Sequence, residues 1–241
     1  MNKLLANKRI WITGASRGIG LAIYRKLADS SASIVLSASS QKSFNHVSDE
    51  IEQRGNTLTL PFDMSSSDGP ETAYKLIEEK SGGIDILINN AGVVIFNKLW
   101  KSSIEEYDRM MNINLRGAFL TMKAVLPGMI QLESGLIVNI SSVSAKTVFR
   151  NNAVYSASKA GLLMMSRCLR EEVRNNGIRV IDVLPGATST EIWNPEAREK
   201  FADTMMKAED VAEIIYSNII NSLNGKAVTE EIIIRPSTGD L

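Results

Sequence analysis

Thr13-Gly14-Ala15-Ser16-Arg17-Gly18-Ile19-Gly20 is the stretch that decides how this chain folds. The apolar run Arg9-Ile10-Trp11-Ile12 enters it directly, and a helical pattern over residues 19–30 leaves it at once. Glycines at such a junction permit a tight turn, let a pyrophosphate reach the backbone and let the helix pack closely on the strand. The start of the helix adds unpaired N–H groups and the positive end of its dipole. Glycine-rich loops also make ordinary turns, so its place between the first strand and the first helix is what points to a dinucleotide. A phosphate-loop NTPase is excluded, because no Gly-Lys-Ser/Thr closes the loop.

Outward from the loop, short β-rich runs alternate with helical patterns to the end of the chain. The strand runs lie at 9–13, 33–37, 57–61, 84–88, 136–140, 179–184 and 231–234. The helical patterns lie at 19–30, 42–54, 70–80, 103–133, 154–176 and 209–223. Ile84-Asp85-Ile86-Leu87-Ile88, Leu136-Ile137-Val138-Asn139-Ile140 and Val180-Ile181-Asp182-Val183-Leu184 are nearly continuous branched apolar runs, as in a parallel sheet covered on both faces. The expectation is an α/β fold, a Rossmann-like doubly wound sheet of about seven parallel strands with helices on both faces. No fixed-period repeat, low-complexity tract or Pro/Gly-rich linker interrupts it, so residues 1–241 read as one domain. The least regular segment, 187–207, reads as a flexible flap over a substrate.

Composition narrows the chemistry. The chain has 241 residues, 44% of them hydrophobic, with 27 basic and 27 acidic side chains. That is ample for a core and lacks the basic footprint of a nucleic-acid binder. No apolar run reaches the roughly 18 residues a membrane span needs, and the N-terminus lacks the apolar stretch of a signal peptide. A cytoplasmic protein is therefore expected. One cysteine (Cys168) and one histidine (His46) exclude an internal disulfide, a Cys/His zinc site and a Ser-His-Asp triad with a spare histidine. No metal is expected, and catalysis is left to hydroxyls, amides, lysines, carboxylates or a cofactor.

The loop spacing, Thr-Gly-x-x-x-Gly-x-Gly, resembles that of the short-chain dehydrogenase/reductase family, and five further motifs follow in register. They are Asn89-Asn90-Ala91-Gly92 after the fourth strand, Asn114 within Asn112-Ile113-Asn114-Leu115-Arg116-Gly117, and Ser142 thirteen residues before Tyr155. Tyr155-Ser156-Ala157-Ser158-Lys159 and Pro185-Gly186 complete the set. Each is common alone; all six in order over essentially the whole chain are not. The resemblance implies an oxidoreductase that moves a hydride between a nicotinamide and a carbonyl or alcohol. It implies cofactor contacts from Gly14, Ser16, Arg17, Gly18, Ile19 and Gly20, from Asn90, Ala91 and Gly92, and from Pro185, Gly186, Thr188 and Thr190. Asp63 is implied at the adenine, although Asp63-Met64-Ser65 also reads as a plain turn.

The cofactor expected is NADP(H). An NAD-preferring fold ends its second strand with a carboxylate for the ribose hydroxyls, whereas this strand runs into Ser37-Ala38-Ser39-Ser40-Gln41-Lys42. Ser39 and Ser40 offer hydrogen bonds to a 2′-phosphate that a carboxylate would repel. Arg17, a cation where the helix dipole disfavours one by a few tenths of a kcal/mol, makes more sense beside an anion. The alternative is that Arg17 simply points into solvent.

Tyr155 and Lys159 stand four apart, on one face of a helix. A nearby ammonium, with the positive ring of an oxidised nicotinamide, favours phenolate and lowers the tyrosine pKa from near 10. By resemblance Tyr155 is the general acid–base and Lys159 tunes it and holds the nicotinamide ribose. Ser142 hydrogen-bonds the reacting oxygen, and Asn114 holds a water that leads to Lys159.

The substrate expected is a small carbonyl or alcohol compound, in a pocket walled by 93–96, 143–151 and 187–193. Lys146 and Arg150 lie in the middle segment, and Arg150 is a candidate for attracting an anionic group. The ending at 231–241 lacks the Asp-Gly-Gly common among 3-oxoacyl-carrier-protein reductases, which lowers that alternative without removing it. A catalytically silent NADP-sensing regulator would have lost Tyr155 or Lys159. The run Ala160-Gly161-Leu162-Leu163-Met164-Met165, apolar on nearly every side, suggests a homodimer or homotetramer through this helix. Cys168 on the same helix reads as a packing residue.

Overall fold

A computed structural model describes residues 3–225 and 227–240. Met1, Asn2 and Leu241, at the two ends of the expected single domain, and Lys226 lie outside the described residues. The elements run β1 (Arg9–Thr13), α1 (Gly18–Ala28), β2 (Ser33–Ser37), α2 (Ser48–Arg54), β3 (Thr57–Thr59), α3 (Gly69–Ser81) and β4 (Ile86–Asn89). Then follow α4 (Ile104–Met111), α5 (Ala118–Gln131), β5 (Gly135–Ile140), α6 (Ala153–Val173), β6 (Ile178–Pro185), β7 (Thr188–Ser189), α7 (Pro195–Lys200), β8 (Met206–Lys207), α8 (Ala208–Asn224) and β9 (Glu231–Ile234).

Seven strands form one parallel sheet in the order β3-β2-β1-β4-β5-β6-β9. The alternation of each strand sends one set of side chains to each face. Ile10, Ile12, Ile86, Ile88 and Val138 pack with α1 and α8, while Trp11, Leu87, Ile137 and Val180 pack with α3, α5 and α6. The strand order reverses between β1 and β4, and the open crevice at the carboxyl ends of those strands is where such a sheet binds ligands.

The polar interruptions in the apolar strands have a structural use. Asn89, Asn139 and Asp182 stand directly beside one another across β4, β5 and β6, on the α5/α6 face. Asn89 donates to Asn139 Oδ1 at 2.9 Å and accepts from Thr121 at 2.6 Å. Asn139 donates to Ser166 at 2.8 Å, and Arg170 donates to Asp182 at 2.6 Å.

Several boundaries differ from the sequence expectation. The 42–54 pattern opens as a 3-10 turn over Gln41–Val47 before α2 begins. The single helix expected at 103–133 is broken by a π-helical turn, Asn112–Gly117, between α4 and α5. The 187–207 segment is pinned at both ends, because β7 and β8 pair in parallel as a separate two-stranded sheet. Among the described residues no helix is long and apolar enough to cross a membrane, and no cluster of His, Cys, Asp and Glu is arranged to hold a metal ion.

Candidate active site

The carboxyl ends of β1, β4, β5 and β6 open into one cavity of about 950 Å³, within the usual range for small-molecule and cofactor sites. Its floor is the glycine loop. Gly14 has φ 64°, and a Cβ there would lie 2.7 Å from Ala91 Cα. A Cβ on Gly20 would collide with the Gly14 carbonyl and the Asn90 amide. The close approach is enforced by Asn90, whose Nδ2 donates to the Thr13 and Gly14 carbonyls at 3.1 and 2.9 Å. Thr13 Oγ1 returns the contact, accepting from the N–H groups of Asn90 and Ala91, each at 3.1 Å. Two motifs 76 residues apart are thus one rigid cradle.

Arg17 is the N-cap of α1 and is exposed, and its guanidinium makes no hydrogen bond or ion pair among the described residues. The wall after β2 is Ser37, Ala38, Ser39 and Ser43, with no carboxylate. Ser40 does not line it: its hydroxyl is 3.0 Å from that of Ser43, which the 3-10 turn swings to the wall in its place. Ser43 carried no motif that would have marked it. Asp63 lines the cavity and also closes its own turn, its Oδ1 accepting from Ser65 N and Oγ at 2.9 and 2.8 Å. These residues suit a phosphate-bearing dinucleotide: a backbone cradle no Cβ can enter, an unpartnered cation, and hydroxyls where a carboxylate would repel.

Tyr155, Ser142 and Lys159 all line the same cavity. Lys159 is 4% exposed and its Nζ donates to the Ile140 carbonyl at 2.8 Å. Burial pushes its pKa down to about 8. Tyr155 is half-buried; desolvation pushes its hydroxyl up to about 12, with the Ser142 hydrogen bond pulling the other way. The depression expected of Tyr155 draws on the ammonium and the nicotinamide ring together. Among the protein's own groups, Lys159 Nζ lies 5.9 Å from the Tyr155 ring centroid and gives one of its three N–H groups to the Ile140 carbonyl, and desolvation is the larger influence on the Tyr155 hydroxyl.

Asn114 sits in the π turn, buried, and does not line the cavity. Its side chain is a clamp: Oδ1 accepts from Val93 N at 2.8 Å, while Nδ2 donates to the Val93 carbonyl at 2.9 Å and to Ser158 at 3.0 Å. Those contacts tie β4's outgoing segment to the Tyr155 helix. π turns recur where a helix must aim one side chain at a site.

Pro185, Gly186, Thr188 and Thr190 close the far wall, with Thr188 Oγ1 donating to the Gly186 carbonyl at 3.0 Å. Trp193 stacks on Phe96, centroids 5.1 Å apart, and both line the cavity, as do Val94, Val148 and Ile192. Arg150 is exposed at that wall, whereas Lys146 is held in an ion pair with Glu231 of β9 and does not line it. Asp240, unremarked in the sequence, also reaches the wall, ion-paired to Arg235. Cys168 is exposed on α6, not packed as expected.

The fold and this cavity define an α/β oxidoreductase that uses a nicotinamide nucleotide. Residues 8–200 match the short chain dehydrogenase family, and the chain belongs to it. It is 29% identical over 236 residues to an uncharacterized oxidoreductase of Staphylococcus aureus (strain MW2), covering 97% of this chain and 99% of that one. It is 36% identical over 186 residues to the ketoacyl reductase HetN of Nostoc, covering 77% of this chain and 65% of the relative. Among solved structures it resembles a metagenomic short-chain oxidoreductase in complex with NADP, with 30% identity, TM-score 0.84, and 98% and 99% of the two chains covered.

Proposed function

We propose that the protein is an NADP(H)-dependent enzyme interconverting a ketone or aldehyde with the corresponding alcohol, with Tyr155 as general acid–base. The observation that carries this reading is the meeting of Tyr155, Ser142 and Lys159 in the cavity whose floor is the glycine cradle. A bound nicotinamide supplies or accepts the hydride. Tyr155 holds a proton at its hydroxyl oxygen and gives it to the carbonyl oxygen during reduction. Ser142 orients that oxygen and stabilises its developing charge. Lys159 keeps a positive charge beneath them, and Asn114 fixes the helix and strand that set the spacing. Gly14, Ser16, Arg17, Gly18, Ile19, Ser39, Asp63, Asn90, Ala91, Gly92 and the 185–190 wall are assigned to the nucleotide, with Gly20 acting through the cradle. Exposed Phe119 on α5 and Met164 on α6 support assembly as a homodimer or homotetramer through that face. The domain is taken as single and cytoplasmic. The likeness to HetN keeps a 3-oxoacyl thioester as the second substrate to try.

Titration of nucleotide fluorescence tests the cofactor assignment. NADPH is expected to bind at least about tenfold more tightly than NADH, and Arg17→Ala to remove most of that margin, as loss of a charge-assisted phosphate contact does. A preference for NADH would overturn the NADP assignment, and binding of neither would overturn the enzyme reading.

The pH profile follows from the two site pKa values. Lys159 is charged below about 8 and loses its charge as the pH rises through that value. Tyr155 keeps its proton up to about 12 and sets no limit in that range. For reduction, kcat/KM is expected to be level below pH 7 and to fall above about 8, with Lys159→Arg moving the fall upward. A fall unmoved by Lys159→Arg would assign it to another group.

A further inference from the structure

The cavity wall beside Ser142 carries a hydrogen-bonding pair that the hydride chemistry does not use. Asn152 is the N-cap of α6 and 5% exposed. An asparagine there ordinarily turns its side chain onto the first N–H groups of the helix, but Asn152 makes no such cap. Its Nδ2 donates instead to Ser144 Oγ at 3.0 Å, and its Oδ1 is buried with no hydrogen-bond partner among the described residues. An unpaired buried acceptor is costly, and native structures rarely carry one without a use. The turn that sets it there is held as well: Asn151 has φ 60°, and its carbonyl accepts from Asn97 N at 2.8 Å.

Ser144 is buried and accepts from Asn152, so its own hydroxyl proton is unspent. Its backbone N–H donates to Ser142 Oγ at 3.1 Å. Ser142, Ser144 and Asn152 thus form one chain of contacts along the wall, with Asn152 a helical turn ahead of Tyr155. Ser144, with a hydroxyl proton to give, and Asn152, with an orphaned buried amide oxygen, are thus linked residues of the same wall as Ser142.

We propose that Ser144 and Asn152 form a second substrate subsite that holds a hydroxyl group on the carbon next to the reacting carbonyl. That hydroxyl accepts from Ser144 Oγ–H and donates to Asn152 Oδ1. A hydroxyl is the smallest group that satisfies both, whereas a carboxylate offers acceptors only and an alkyl group leaves both unpaired. The substrate class is then the α-hydroxy ketones in reduction and vicinal diols in oxidation. This rests on the carbonyl-reductase reading of the same site.

The test compares pairs that differ only by hydroxyl for methyl, 1-hydroxy-2-butanone with 3-pentanone and 2-hydroxyacetophenone with propiophenone, following NADPH oxidation. The wild-type protein is expected to favour the hydroxylated member by about 10- to 100-fold in kcat/KM. Asn152→Leu should bring that ratio to within about threefold of one, Ser144→Ala should lower it partway, and Asn152→Asp, which keeps an acceptor, should restore part of it. If Asn152→Leu proves unfolded by circular dichroism, Ser144→Ala carries the test. Plain ketones reduced as fast as their hydroxylated partners would overturn the subsite alone. A variant that slows both members equally would do the same, marking Asn152 as a loop support. No reduction of any carbonyl with either nucleotide would overturn the subsite and the reductase reading together.

Discussion

Tyr155→Phe is expected to lower kcat for carbonyl reduction by about 10³-fold, within the 10²–10⁴ range of a lost general acid, while the affinity for NADPH changes little. The substitution deletes one oxygen and keeps the ring, so the packing of α6 against the cavity survives. No neighbour takes over. Ser142 Oγ already accepts from Ser144 N at 3.1 Å, and an aliphatic hydroxyl is a far weaker acid than a phenol. Lys159, whose pKa is about 8, is the stronger acid of the two, but its Nζ is buried and anchored on the Ile140 carbonyl at 2.8 Å. Fluorescence titration together with single-turnover NADPH oxidation separates binding from chemistry. Retention of more than about a tenth of the rate by the phenylalanine variant would remove Tyr155 from its role.

The second large effect comes from a single methyl group. Gly20→Ala places a Cβ inside both the Gly14 carbonyl and the Asn90 amide, which are the two halves of the cradle. To admit it, α1 has to move off the loop or Asn90 has to release its bonds to the Thr13 and Gly14 carbonyls. Overpacking of this kind costs about 1–3 kcal/mol, a fall of roughly 3–10 °C in melting midpoint for a chain of this size. Nucleotide affinity should fall further, by about 100-fold, because the displaced backbone is the binding surface itself. Gly55→Ala is the control: φ is 66° there and nothing lies within 4 Å, so it should cost stability through backbone strain and leave nucleotide affinity intact. Equal loss of affinity in both variants would mean that the cradle geometry is not what binds.

What the sequence made legible was local. The glycine loop, the seven strand runs and the four-residue step from Tyr155 to Lys159 depend on neighbours within a turn or two, and the structure has them in those places. The interruption at Asn112–Gly117 was not legible, because its apolar spacing continues the helical pattern on both sides and only the backbone ladder records the extra width. Ser43 displaced Ser40 from the wall for a similar reason, since a 3-10 turn rotates each residue further than an α-helix does. Nothing near Lys146 in the sequence marks its partner: Glu231 is 85 residues away and arrives only when β9 joins the sheet. Nothing in the sequence singles out Asn152; its place beside Ser144 comes from the fold.

The row of polar side chains across β4, β5 and β6 bears on how the chain avoids folding wrongly. Strands built from interchangeable isoleucines, leucines and valines pair almost as well one or two residues out of step. A slip by one residue would send Asn89, Asn139 or Asp182 to the opposite layer, among Ile10, Ile86 and Val138. A slip by two would leave its amide or carboxylate facing hydrocarbon, parted from Thr121, Ser166 or Arg170. Only one alignment brings Asn89 to Thr121, Asn139 to Ser166 and Asp182 to Arg170 together, so the row acts as an error check on assembly. Asn139→Val would then leave a protein whose refolding yield falls more than its melting midpoint, with misaligned chains lost to aggregation.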